Sequence, residues 1–368
     1  MAEKITAALK KDKTLLISGV CAAVSMLFSP PSKEYIGYID VRVICLLFCL
    51  MAVVAGLEEL GVFQAAAGKF VSGERKMRVI YLTLVLLPFF MSMVITNDVA
   101  LITFVPFAVL ILKMAGEEKY LEFVVVMQTV AANLGSMATP IGNPQNLYLY
   151  SKFEIPAASF FKTILPFVVL SLLLICLCMF FAGNRSVKID IKNSGFKSSV
   201  NLYVLAVLAL LCLLSVFRAL PYYWLTAIVV LSLLIFMRSV FKKIDYGLLA
   251  TFVFFFIFAG NIGKNDYINA LITDVLGKNA VFTAVVSSQF ISNVPSAVLL
   301  SEFTDNWAAL LVGSNIGGLG TPVASLASLI SLKIYMNEGY GIKKYMTVFL
   351  AVNFIFLFIL YIFSKVLV

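Results

Sequence analysis

The sequence predicts an all-α polytopic membrane protein made of inverted repeats, with two re-entrant hairpins, two broken helices and about nine crossings. Three observations carry this. The chain of 368 residues is 62% hydrophobic, with a mean hydropathy of +1.02, too apolar for a water-soluble core. Its apolar stretches, such as 44–57, 164–182 and 202–217, are apolar on all sides, where the strands of a membrane barrel would alternate. Finally, a motif occurs twice: Asn133-x-Gly135-x-x-x-Thr139-Pro140 returns 182 residues later as Asn315-x-Gly317-x-x-x-Thr321-Pro322. Each copy interrupts a long apolar stretch with glycine, proline and amide side chains, where a helix inside a bilayer has to unwind.

A crossing helix needs about 20 apolar residues. Crossings are expected at 14–29, 40–58, 120–152 (broken near 139), 160–183, 200–218, 221–241, 245–262, 306–336 (broken near 320) and 344–366. The first follows Lys10, Lys11 and Lys13, but no small-x-small site precedes Pro30, so it is read as a retained helix and not a cleaved signal. Two other apolar stretches, 77–113 and 280–303, carry Thr96-Asn97-Asp98 and Ser292-Asn293-Val294-Pro295 at their centres and read as hairpins that enter and leave on one side. With the first hairpin opening to the cytoplasm and the second outward, inner loops hold 20 of the 28 Lys and Arg residues. That bias places the N-terminus in the cytoplasm of a cell-membrane protein, the inner or plasma membrane. Lys69 to Arg78 is expected as an amphipathic segment on the inner surface, and Glu58 and Glu59 as interfacial residues.

The series helix, helix, hairpin, broken helix, helix spans 1–183 and recurs over 221–368, with a cytoplasmic loop and one linker helix at 184–220. A single linker helix turns the second copy upside down. Gly56 with Gly260, and Thr96-Asn97 with Ser292-Asn293, are further matches between the copies.

Paired interruptions in matching halves point to a transporter's binding site. Polar side chains at membrane depth are costly unless they face a partner or a wet cavity. The expected substrate- and ion-binding residues are Thr96, Asn97, Asp98, Asn133, Gly135, Ser136, Thr139, Pro140, Gly142 and Asn143 in the first copy. In the second they are Ser292, Asn293, Asn315, Gly317, Gly318, Gly320, Thr321, Pro322 and Ser325. Asn97 and Asn293 offer donors and acceptors alike, with helix capping as the competing reading. The residues of the breaks would free backbone carbonyls toward the cavity. Asp98 is the single acid at either hairpin centre and faces Val294 in the match, so it is expected to take the coupling proton or cation. If sodium is that ion, its site is expected near Asn97, Asp98 and Asn293.

Other function classes fall away. The chain has no histidine, which removes zinc-dependent intramembrane proteolysis and Ser-His chemistry. An aspartyl intramembrane protease needs a second deep acid, and an ATP-driven pump needs a phosphate-binding loop that is not in the sequence. The net charge of +9 is spread over short loops, unlike a nucleic-acid stripe. The six cysteines lie in apolar segments without metal or disulfide spacing and read as packing residues. No enzyme activity and no cofactor are expected.

At Thr96-Asn97-Asp98-Val99-Ala100, at Ser292-Asn293-Val294-Pro295, and from Gly313-Ser314-Asn315-Ile316-Gly317 through Gly320-Thr321-Pro322-Val323-Ala324-Ser325, the chain resembles the ion transporter superfamily. That group includes arsenite permeases, sodium/proton antiporters, citrate permeases and divalent anion/sodium symporters. The tip looks most like the arsenite permease branch and lacks the Ser-Asn-Thr pair of the sodium-coupled carboxylate carriers. The resemblance implies a homodimer, with a scaffold holding the interface and a transport part that moves as an elevator. It also implies secondary active transport of a small anion or oxyacid, coupled to protons or sodium. A sodium/proton antiporter, and an uncoupled channel or other membrane protein, are the alternatives.

Overall fold

Four helices begin at side chains that fold back on their own first turn. Asp40 and Asp245 accept the N–H of Val43 and Leu248 at 3.0 and 2.9 Å, and Asn265 and Asn306 those of Ile268 and Ala309 at 3.1 Å each. These are N-cap bonds, satisfying donors that the helix itself cannot use. The computed structural model describes residues 13–180, 185–189 and 200–367. In chain order these form α1 (Lys13–Ser25), α2 (Tyr35–Tyr38), α3 (Val41–Glu59), α4 (Val62–Val71), β1 (Gly73–Lys76), α5 (Met77–Met91), α6 (Asn97–Met114), α7 (Leu121–Ser136), α8 (Pro144–Lys152) and α9 (Ala157–Phe180). Then follow β2 (Ser186–Ile189), α10 (Val200–Val216), α11 (Tyr222–Phe236), α12 (Tyr246–Gly263), α13 (Asp266–Ile291), α14 (Asn293–Leu300), α15 (Trp307–Ile316), α16 (Leu326–Asn337) and α17 (Ile342–Leu367).

The protein is a multi-pass, all-α membrane protein. Six helices among the described residues are each long and apolar enough to cross a bilayer: α3, α6, α9, α12, α13 and α17. Their apolar residues face both ways, as membrane helices require. On α9, Phe160, Ile164, Phe167, Ile175 and Met179 are buried, while Leu165, Val169, Leu173 and Leu177 are exposed on the opposite side.

The two halves interlock by exchange. α1 packs on α12, and α11 on α3; α5 packs on α7, and α13 on α15. The second hairpin arm α6 packs on α16, and its counterpart α14 packs on α8. Ion pairs at the ends repeat this with reversed sign: Lys113 in α6's last turn meets Glu338 beyond α16, whereas Glu302 beyond α14 meets Lys152 at the end of α8. α10, the odd helix, packs on α3 and α11, and Leu205 lies so close to Gly56 that a Cβ there would fall 2.6 Å from it.

Helix breaks fall at 137–143 and 317–325, and chain turns between successive helices at 92–96 and at Ser292. Two segments differ from expectation. The stretch from Lys69 to Arg78 is no single amphipathic segment: α4 stops at Ser72, Gly73 takes φ 98°, and Gly73 to Lys76 pair antiparallel with Ile189 to Ser186. The second hairpin's first arm starts earlier than residue 280. α13 begins at Asp266 and kinks at Asn279, whose side chain caps the new direction by accepting Phe282 N–H at 3.0 Å. In the part before the kink, Tyr267, Leu271 and Val275 form an exposed apolar stripe at helical spacing, the signature of a helix lying in a membrane interface.

Candidate functional site: two hairpin tips joined to two breaks

Each hairpin tip is tied to the break of its own half by the same bond. Asn97 N–H donates to Gly142 O at 3.3 Å, and Asn293 N–H to Ala324 O at 2.9 Å. The threonines of the motif return the contact, Thr139 Oγ1 donating to Met93 O at 2.5 Å and Thr321 Oγ1 to Gln289 O at 3.0 Å. Both tip asparagines also cap locally, their Oδ1 atoms accepting from Asp98 N and Val294 N at 3.0 Å. The tips are not equivalent, because Ser292 takes φ 71° and ψ 156° while Thr96 stays extended at φ −66°. A side chain at Ser292's angles is strained.

Bonds then cross between the halves. Ser325, the residue before α16, donates to Asn133 Oδ1 at 3.0 Å, and Asn143, the residue before α8, donates to Asn315 Oδ1 at 3.4 Å. Asn133 Oδ1 also accepts from Asn97 Nδ2 at 2.9 Å, and Asn315 Nδ2 donates to Asn146 Oδ1 at 2.6 Å. Asn97, Asn133, Asn143, Asn293, Asn315 and Ser325 are all buried. The structure thus joins Thr96-Asn97-Asp98, the first motif, Ser292-Asn293 and the second motif into one polar centre. Ser136 belongs to it, its hydroxyl accepting from Asn143 Nδ2 at 2.6 Å. Pro140, Gly317, Gly318 and Pro322 lie in or beside the breaks that it spans.

Much of the freed backbone is claimed by amide side chains. Asn146 Nδ2 reaches Ser136 O, Met137 O and Thr139 O at 3.4, 3.3 and 3.1 Å. At the second break Gln289 Nε2 donates to Gly317 O and Leu319 O at 2.9 Å each, and its Oε1 accepts Thr321 N–H at 2.8 Å. Gly320, with φ 102°, leaves the room that Gln289 fills. In the first half, Gly135 and Gly142 lie against backbone: a Cβ would sit 2.0 Å from Phe89 O and 2.2 Å from Ser136 O respectively. Gln128 Nε2 donates to Leu84 O at 2.8 Å, the carbonyl that Pro88 leaves without its helical partner.

Two cavities approach this centre from opposite ends of α3, which is about 28 Å long at 1.5 Å per residue. The larger, about 460 Å³, runs from Glu58, Lys243, Asp245 and Lys333 down to Thr96, Asp98, Ile141 and Pro144. The smaller, about 320 Å³, is lined by Tyr38, Asp40, Tyr148, Lys152, Phe256 and Glu302. On α8, Pro144 lines the first and Tyr148 the second, so one helical turn, about 6 Å, separates them. Tyr148 seals that turn, with its hydroxyl 2.7 Å from Ser301 Oγ and its ring 5.5 Å from Phe256. The halves are asymmetric here: α3 packs on α8, and α16 faces α3 across the larger cavity, with Leu248 of α12 also lining it.

Sequence reasoning did not find Asn146, Gln289, Gln128 or Asp245. The three amides sit within helices, and their partners are unreadable without the fold. Asp245 had a readable signal as an N-cap, but its place on the cavity of Asp98 comes from packing.

Apolar helices and paired helix breaks around a buried polar centre are the features of a membrane transporter. The citrate transporter family profile matches residues 2–308, and the chain belongs to that family. It is similar to an uncharacterized transporter of Methanocaldococcus jannaschii, 31% identical over 90% of this chain and 92% of that one. Inner membrane protein YbiR of Escherichia coli is 28% identical over 87% and 86%. The silicon efflux transporter LSI3 of Oryza sativa is 31% identical over 39% of this chain and 30% of its own length.

Proposed function

We propose that the protein is a secondary active transporter of a small anion or oxyacid, driven by a proton or sodium gradient through Asp98. It works as a homodimer in the cell membrane, with its N-terminus and the larger cavity on the cytoplasmic side. The carrying observation is a mismatch between the halves: α3 packs on α8, and the chamber lined by α3 and α16, about 460 Å³, is larger than its counterpart lined by α12 and α8, about 320 Å³. Inverted repeats allow the opposite assignment at similar energy, with α12 closed on α16 and α3 parted from α8. Exchange between the two is alternating access, with hairpins and broken helices moving as an elevator against α3 and α12. Asp98 sits on the moving hairpin tip and lines the cavity, so its charge is carried with the substrate. Membership in a citrate transporter family and likeness to a silicon efflux protein support a small, oxygen-rich substrate. A sodium/proton antiporter is the second reading, favoured by Asp98 and Asp245 lining one cavity, where two acids would hold an exchanging cation.

The test is current from proteoliposomes on a solid-supported membrane. Citrate, dicarboxylates, phosphate, sulfate and arsenite are applied under separate proton and sodium gradients, with Asp98→Asn alongside. A substrate-dependent current lost in the variant supports coupled transport. Current from ion gradients alone supports the antiporter, and current without any gradient dependence defeats both.

A further inference from the structure

We infer that the side chain of Gln145 is a substrate-recognition group, acting with the unused amide atoms of Asn133 and Asn143 on a small oxyacid that keeps at least one O–H. The inference rests on the transport reading above and names the chemistry of its site.

Gln145 is the second residue of α8 and is 1% exposed. Neither its Oε1 nor its Nε2 has a hydrogen-bond partner in the protein. Its neighbours are differently placed: Asn146 spends Oδ1 on Asn315 and Nδ2 on the carbonyls of the break. Two other amides of the centre are half-used. Asn133 accepts twice at Oδ1 but its Nδ2 is unpaired, and Asn143 donates at Nδ2 but its Oδ1 is unpaired.

A buried amide left without partners is destabilising, and native proteins hold few such groups without a reason. Leucine or methionine would fill the same volume without that penalty, so packing does not explain a glutamine here. Its location supplies the reason. Pro144, one residue before, lines the larger cavity, and Tyr148, three residues after, lines the smaller. By its height on α8, Gln145 stands between the two chambers, with its side chain enclosed by protein and lining neither.

The unused atoms are balanced: Nε2 of Gln145 and Nδ2 of Asn133 donate, while Oε1 of Gln145 and Oδ1 of Asn143 accept. No lysine or arginine stands among them. A fully ionised sulfate or phosphate offers only acceptors and would set its oxygens against the two amide oxygens. A ligand with oxygen acceptors and a remaining O–H satisfies all four, which selects a neutral or partly protonated oxyacid.

The experiment measures uptake of four probes into proteoliposomes, arsenous acid, orthosilicic acid, citrate and phosphate, together with thermal melting of the same preparations. Wild type, Gln145→Leu and Gln145→Met are compared. The expected result is that both variants melt at or above the wild-type temperature, while uptake of the transported probe falls tenfold or more through a higher KM, about a factor of ten for each hydrogen bond lost. For phosphate, whose O–H groups are lost on ionisation, wild-type uptake across pH should follow the partly protonated species. Wild-type flux that persists unchanged in both variants overturns the role of Gln145 and leaves the transport reading intact. Variants that melt lower, with flux falling only as folded protein falls, show a structural amide and overturn it too. Folded wild type that moves none of the four probes overturns the transport reading and this inference with it.

Discussion

Gly142→Ala tests whether the first hairpin tip depends on a close backbone approach. An alanine Cβ would lie 2.2 Å from Ser136 O, at the end of α7, and 2.7 Å from Ser92 O, in the hairpin turn. Both obstacles are backbone atoms, so no side chain can rotate away, and ordinary contact requires the break to open by roughly 1 Å. That movement strains the 3.3 Å bond from Asn97 N–H to Gly142 O. Overpacking costs about 1–3 kcal/mol and one lost hydrogen bond about 0.5–1.5 kcal/mol. At an unfolding entropy near 2.1 cal/mol/K per residue, a total of about 2–4 kcal/mol lowers the melting temperature by roughly 3–5 °C. Differential scanning fluorimetry in detergent reads this directly, with Gly37→Ala as control because a Cβ there meets nothing within 4 Å. Gradient-driven flux should fall as well, since the displaced tip carries Asp98. A Gly142→Ala protein that melts with the wild type would refute the close approach and the tie between tip and break.

Asp98→Asn should leave a folded protein that exchanges substrate but no longer accumulates it; gradient-driven uptake at the wild-type level removes Asp98 from the coupling scheme. Reversing Lys113→Glu alone should destabilise by no more than about 1 kcal/mol, because the pair is partly exposed, and adding Glu338→Lys should restore the melting temperature; no recovery in the double variant would mean the contact is incidental. Ser292→Gly relieves a backbone at φ 71° and should raise stability by about 1–2 kcal/mol, so a lower melting temperature would show that the serine's contacts outweigh its strain. In a cysteine-free background, Leu329→Cys in the larger cavity and Gly37→Cys in the smaller should react with impermeant thiol reagents from opposite sides, and labelling from one side would defeat the inverted arrangement.

The outline of the fold was legible because it is written in local chemistry. Glycine, proline and amides gather at Asn133 to Pro144 and at Gly313 to Pro322, where a membrane helix has to unwind, and Asn97 and Asn293 are costly in lipid; these are the local signals of the breaks and tips. What those asparagines bind was not legible. Ser325 finds Asn133 and Asn143 finds Asn315 across the interface of the halves, and periodicity along one helix carries no information about a neighbour that arrives from elsewhere. The expectation of open carbonyls in the breaks met the same limit: Asn146 and Gln289, which claim several of them, sit in stretches whose pattern marks them only as helix. The turn from α4 into β1 was hidden because the pairing strand lies more than a hundred residues away.

The exchange of contacts between halves has a consequence for biogenesis. The bonds of the polar centre join residues up to 192 positions apart, so the first half leaves the ribosome before its partners exist. Until α14, α15 and α16 arrive, Asn133 lacks Ser325, Asn143 and Asn146 lack Asn315, and α8 lacks the arm it packs on. The nascent first half is therefore an incomplete object whose hairpin and broken helix must wait in an unsettled arrangement. A chain stalled or truncated before the second motif should be a substrate for membrane proteolysis. Co-expressed halves, by contrast, should rescue each other, because each holds the missing contacts of the other.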